Sequence, residues 1–293
     1  MKIRQDLHIH SHHSFDSACT TLSKIHLDRE AMGIRHYAVT DHLNTRYSIS
    51  DIESCRHDFL RGNFPPNFHF GVEAAITAAW ESERIAAGDY VAAGDVPITG
   101  FRMDERPFDG RMCIGLEKED ISKYGIELVI AGVHWPLGFP ETRAGVLDNY
   151  FQQHMFLANH PLVHVIAHPW ETLGHAAGDW FRHRDKQHID WSVFREIPQE
   201  MDDMLGATLL KNGKFAEINI NFMTGIPEEV MRLRMERSCR WRDAGLKFTC
   251  GSDQHSEHPD PERFKQMERI LDEYGFTEED FALPPSLNPM STG

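Results

Sequence analysis

Two histidines one residue apart stand near the start of the chain, in Asp6-Leu-His8-Ile-His10. On a strand, that spacing puts both imidazoles on one face. Similar groups follow at Thr40-Asp-His42, Gly71-Val-Glu73, Gly132-Val-His134, Ala167-His168-Pro169 and Gly251-Ser-Asp253-Gln-His255. Imidazole with carboxylate suits Zn, Mn or Fe, and the absence of thiolate ligands removes the structural cysteine-zinc alternative. Each group also has an ordinary reading. With 19 histidines in 293 residues, a lone HxH arises about once by chance. A lone strand-end histidine is more often packing than a ligand, Asp253 fits a turn, and Glu73 fits a solvated strand end. Coincidence in place is what joins them.

The elements that must position these residues read as alternating strands and helices. Strands are expected over 6–10, 36–40, 68–74, 126–133, 163–167, 215–220 and 246–250. Helices are expected over 23–32, 50–60, 144–157, 199–210, 228–243 and 261–274, with Gly33 and Gly245 as stops. Alternation of this kind implies an α/β fold with a parallel sheet. Seven units suggest a TIM-like (β/α) barrel short of one unit, with an open doubly wound sheet as the alternative. The ligand types then gather at the carboxyl ends of the strands, where sites assemble in such folds. The sixth strand carries Glu217-Ile-Asn219 there. No GxGxxG or GxxxxGK[ST] follows any strand, so dinucleotide and Walker-type phosphate loops lack support.

Composition narrows the function classes. Asp and Glu number 45 against 30 Lys and Arg, a net charge of −15. That balance disfavours a nonspecific nucleic-acid binder, but bound cations still allow a small anionic substrate. No apolar run reaches the roughly 20 residues that span a bilayer, and the first residues lack a signal-peptide core. The cysteines, Cys19, Cys55, Cys113, Cys239 and Cys250, are odd in number and contain no CxxC pair. Reduced thiols in a cytoplasm are expected. No repeat is found, and residues 283–293 read as a flexible tail after a single domain over 1–282.

On these motifs the sequence resembles the polymerase and histidinol phosphatase (PHP) superfamily of metal-dependent phosphoesterases. The resemblance runs from Asp6 to His255. It implies a distorted (β/α)7 barrel, which agrees with the seven expected strands, and two to three divalent ions. It implies one ion on His8, His10, Glu73 and Asp253, and a second on Glu73, His134 and His168. A third would sit on Asp16, His42 and His255. Asp16 has the offset of the family's ligand between the first two motifs, with His12 and His13 as closer competitors.

The chemistry implied is hydrolysis of a small phosphomonoester through a metal-bridged hydroxide, with His8, His10, Glu73 and Asp253 as the catalytic set. Inorganic phosphate would be the product, and histidinol phosphate is the first substrate to try. Arg46, Arg143, Arg182 and Arg184 are the loop arginines that could bind phosphate, each also readable as a surface charge. Two insertions are expected. Residues 75–123 are read as a hairpin or small helix over the barrel mouth. Residues 169–198 are either a lid or a helical insertion burying its aromatics. Two other functions remain open. One is a nuclease or phosphodiesterase on short nucleic acid. The other is an amidohydrolase-like C–N or C–O hydrolase, although no Lys stands at a strand end to bridge metals as a carbamate.

Overall fold

The structure is a computed structural model that describes residues 1–17, 20–89, 96–100, 108–138, 140, 142–178 and 189–287. Seven parallel strands run in chain order around the sheet: β1 (Gln5–Ile9), β2 (His36–Leu43), β3 (Phe68–Ala78), β5 (Leu128–Gly132), β6 (Val165–Ile166), β7 (Phe215–Asn219) and β8 (Phe248–Gly251). A short strand, β4 (Met112–Ile114), pairs antiparallel with the far end of β3. Past the end of β8 the sheet returns to β1. Asp253 N–H donates to His8 O at 2.8 Å, and His10 N–H donates to Gln254 O at 3.1 Å. The sheet is therefore a nearly closed, TIM-like α/β barrel, as the alternation of elements predicts.

The expected strands are all present, each with modest changes of boundary. The helices over Leu22–Met32, Ile49–Gly62, Arg143–Asn159, Gln199–Lys211, Glu228–Asp243 and Pro261–Glu273 stand where the sequence places them. Their caps explain their ends. Thr21 Oγ1 accepts from Lys24 N–H at 3.3 Å, and Gly33 closes the same helix at φ 72°.

Most of the core lies between strands and helices. A second apolar cluster joins Leu7, Ala38, Leu128, Ile130 and Val165 from the four strands β1, β2, β5 and β6. Leu287 completes it. Leu287 falls within the stretch 283–293 expected as a flexible tail, and Leu283 packs against the same cluster. The rest of that stretch, 288–293, lies outside the described residues.

The two insertions resolve in part. Within 75–123, β3 runs on to Ala78 to meet β4, and helices follow at Ala79–Ala86 and Lys118–Tyr124. Within 169–198, Trp170 and Phe194 are buried, and the Trp191 ring stacks on Phe194 at 6.1 Å. Those described residues follow the aromatic-burying alternative. Among the described residues no helix is long and apolar enough to cross a membrane.

Candidate metal centre

The strand ends bring the predicted ligand types together. In β1, the register with β2 jumps between Asp6 and Ile9, so Leu7 and His8 together oppose Ala38. Such a bulge re-aims side chains near a site. Leu7 goes to the inner apolar cluster, while His8 and His10 point at one another, Nε2 to Nε2 3.1 Å. Arg29 secures the seam from behind. Its Nε donates to Asp6 at 2.7 Å, and its Nη2 donates to Gln254 Oε1 at 2.6 Å. Asp41 accepts from Ser11 N–H at 2.5 Å and from Ser11 Oγ at 2.6 Å, fixing the loop that leaves β1.

Glu73 is the centre of the arrangement, fully buried on β3. Its Oε1 lies 3.0 Å from His134 Nε2 and 3.0 Å from His168 Nε2. Its Oε2 lies 3.3 Å from His8 Nε2, 3.5 Å from His10 Nε2 and 2.7 Å from His42 Nδ1. One carboxylate thus faces two groups of imidazoles, one with each oxygen. Asp253 Oδ1 closes the first group, 3.3 Å from His8 Nε2 and 3.1 Å from His10 Nε2. Asp16 Oδ2 lies 3.2 Å from His42 Nε2 and 3.4 Å from His255 Nε2.

The ligand atoms of His8, His10, Glu73 and Asp253 all fall within 4.8 Å of one another. So do those of His10, His42 and His255, and those of His42, Glu73 and His134. His10 and His42 therefore stand closer to neighbouring groups than the implied three-way division assigns them. His12 and His13 go elsewhere, into a more exposed group with Asp58 in which His13 Nε2 lies 3.2 Å from Asp58 Oδ2.

Three residues in this neighbourhood have roles that spacing did not reveal. Glu217 Oε1 accepts from His8 Nδ1 at 2.8 Å, and its Oε2 accepts from His168 N–H at 2.8 Å. It orients rather than faces the cluster, as carboxylates behind metal-binding imidazoles do. Its place at a strand end was visible, but its role follows only from side-chain distance. Gly132 and Gly251 are required by close approach. A Cβ on Gly132 would lie 2.6 Å from the His168 ring, and one on Gly251 would lie 2.1 Å from Glu217 Oε1. His168 at φ 30° and Asp253 at φ 53° hold left-handed backbone that non-glycine residues seldom adopt. Such strain is characteristic of functional sites.

The electrostatics fit divalent cations. Burial works against ionisation of Glu73, Asp253 and Asp16, yet neighbouring imidazoles hold all three below the usual carboxylate range. Burial also opposes protonation of His42, but the charges of Glu73 and Asp16 raise its pKa to about 10. Burial, with His255 and His42 nearby, pushes His10 down to about 3. The decisive atoms are His42 Nδ1 and Glu73 Oε2. Both are buried and paired as charges at 2.7 Å, yet among the described residues neither has a hydrogen-bond partner of good geometry. Buried polar atoms are rarely left so, and a shared cation would satisfy both. Six imidazoles and three ionised carboxylates, without thiolate, match Zn, Mn or Fe chemistry.

Of the predicted arginines, the two described ones pair with acidic side chains of neighbouring segments. Arg46 forks onto Asp120, with Nη2 to Oδ1 at 3.1 Å and a second, shorter bond from Nη1. Arg143 donates to Glu196 at 2.9 Å, to Ser192 at 2.7 Å and to Asp190. Both anchor neighbouring loops. Arg182 and Arg184 lie outside the described residues.

No protein-family model matches the chain. No curated protein matches it either. Solved structures do. The chain is similar to histidinol phosphate phosphatase from Lactococcus lactis subsp. lactis Il1403, a crystal structure complexed with zinc, L-histidinol and phosphate. Identity is 16% and the TM-score 0.55, over 94% of this chain and 95% of that one. A protein assigned as histidinol phosphatase hisK from Listeria monocytogenes matches at 12% identity and TM-score 0.49, over 92% and 99% of the two chains. Ochratoxinase from A. niger matches at 12% identity and TM-score 0.40, over 99% of this chain and 72% of that one. At 16% identity the likeness to the L. lactis protein is one of fold alone, that of an α/β barrel.

Proposed function

We propose that the protein is a metal-dependent phosphomonoesterase acting on a small phosphorylated metabolite, with inorganic phosphate as product. The observation that carries this reading is Glu73, a buried carboxylate whose two oxygens face His134 with His168, and His8 with His10 and His42. In this reading His8, His10, Glu73 and Asp253 hold one ion, Glu73 with His134 and His168 a second, and Asp16 with His42 and His255 a third. Zn, Mn or Fe would suit these donors. When bound, such ions polarise phosphoryl oxygens and lower the pKa of water into the neutral range. The chain's own residues do the positioning. Glu217 holds His8 by its Nδ1, so that Nε2 points inward. Glu73 and Asp253 keep their charges and fix the spacing of the imidazoles around them.

Phosphate rather than amide chemistry is favoured by Glu73 at the bridging position, where amidohydrolases place a lysine carbamate. The fold likeness to a phosphatase that binds zinc and phosphate points the same way. Buried, unpaired thiols at Cys55 and Cys250 suit a reducing cytoplasm.

The test assays purified protein with Zn or Mn against p-nitrophenyl phosphate, its bis-ester and a panel of amides. Monoester turnover that disappears in His8→Ala and Glu73→Ala is expected. Preferential bis-ester cleavage would favour a phosphodiesterase, and amide hydrolysis without phosphate release would overturn the phosphatase reading.

A further inference from the structure

A cavity of about 310 Å³ opens beside the candidate centre, with Asp253 and His255 on its wall. Its size suits part of a small metabolite. Among the described residues, Arg263 is the only Lys or Arg lining it. This residue stands in the first turn of the Pro261–Glu273 helix, which is anchored by buried Phe264 and Met267, and Phe264 lines the cavity beside it. Arg263 is half-exposed, and Nη1 donates to Asn221 Oδ1 at 3.0 Å. Asn221 Nδ2 in turn donates to the Asp253 carbonyl at 2.9 Å. The guanidinium is thereby tied to a candidate ligand residue through one neutral amide.

Arg263 differs from Arg46 and Arg143 in what it faces. Those two spend their forks on carboxylates. Arg263 has Asp260 only at 3.5 Å from Nε, and its Nη2 has no partner among the described residues. Asp260, also on the cavity wall, caps the helix with Oδ1, accepting from Glu262 N–H at 3.0 Å, and its Oδ2 is the oxygen near Arg263 Nε. Ser256 Oγ is likewise committed, donating to the His258 carbonyl at 2.7 Å. The group left to meet a ligand is a guanidinium with an open donor pair, which suits a planar acidic group.

We propose that Arg263, positioned by Asn221, binds an acidic group on the alcohol half of the substrate, so that the favoured substrates are phosphomonoesters of hydroxy acids. This rests on the phosphomonoesterase reading, in which the phosphoryl group sits at the metals and the alcohol extends into the cavity. It also separates this chain from a preference for cationic amino alcohols such as histidinol.

The test uses metal-loaded full-length protein and three non-hydrolysable ligands measured by calorimetry: 3-phosphonopropionate, 2-aminoethylphosphonate and ethylphosphonate. The parent is expected to bind 3-phosphonopropionate best. In Arg263→Ala the preference for it over ethylphosphonate falls roughly tenfold, and Arg263→Lys restores part of it. An unaltered preference in Arg263→Ala, or a parent that favours 2-aminoethylphosphonate, overturns the subsite. Should Arg263→Ala fold poorly, Arg263→Gln gives the same comparison. Hydrolysis of p-nitrophenyl phosphate by the parent is scored separately. Its absence with the ligand preference intact would sink the phosphatase reading and leave the acidic subsite standing.

Discussion

At the amino end of the barrel, His36 stacks on His69 with ring centroids 5.7 Å apart, and His164 Nδ1 accepts from Val129 N–H at 3.0 Å. Lys214 stands nearby, donating to the His160 carbonyl at 2.6 Å. Burial and this cation push His164 down to about 4, while burial and His69 push His36 down. Folding disfavours the charged form of His164 and His36, and His164 serves the backbone. At the carboxyl end, six imidazoles surround Glu73, Asp253 and Asp16, which stay ionised. Histidine content is shared by both ends of the barrel. The charges around the rings separate them. One end is satisfied by protein groups, and the other presents oxygen and nitrogen lone pairs to a common space.

Four experiments break or sharpen that contrast, and removal of metal has the largest effect. Chelation should eliminate phosphate release and lower the melting temperature, with both restored by Zn or Mn. Free ion at 100 times its Kd adds about 2.7 kcal/mol. Melting that ignores chelator and ions alike would place no ion at the carboxyl end. Next is Glu73→Gln, which keeps the shape and removes the charge. Turnover should fall at least about 100-fold, with bound metal falling in elemental analysis. Third is Glu217→Gln, where the loss should be about 10–100-fold in metal affinity or rate. A loss as deep as that of Glu73→Gln would make Glu217 a direct ligand.

The smallest effect tests the amino end. His164→Gln should leave metal content and turnover as in the parent. Its signature is in the pH dependence of stability. His164 has its pKa lowered from 6.5 to about 4 by folding. The unfolded chain therefore binds the proton more readily, and this contribution is full above pH 6.5 and lost as pH falls towards 4. Gln does not titrate, so the stability gap between parent and variant should narrow from pH 7 to pH 5 in urea denaturation. A gap independent of pH would show that His164 does not titrate as its surroundings dictate.

Much of the barrel could be read before any coordinates because apolar runs of strand length alternate with helical ones. Eight of the nine candidate ligands could be read because each ends a strand or follows one closely, whereas Asp16 came only with the family resemblance. β4 was missed for a physical reason. It is three residues long, and its partner is the short end of β3 from Ile76 to Ala78, which runs straight into a helix at Ala79. The arginines were harder still. Whether Arg46 meets substrate depends on Asp120, 74 residues away, and no local pattern encodes that pairing. Glu217 and Arg263 show the same limit. Their residue types were visible, but their partners arrive from other strands and loops.

The seam between β1 and the end of β8 has a consequence for how the chain reaches its final shape. His10 and Asp253 meet across 243 positions of sequence, and Asp6 accepts from Ser252 N–H across 246. Contacts of such long range demand loop closure before they return any energy, which makes them slow to form. The proposed first ion draws its ligands from both sides of this seam. On that reading it clamps the join whose closure ends the folding of the barrel, and its loss would be felt first as faster opening there.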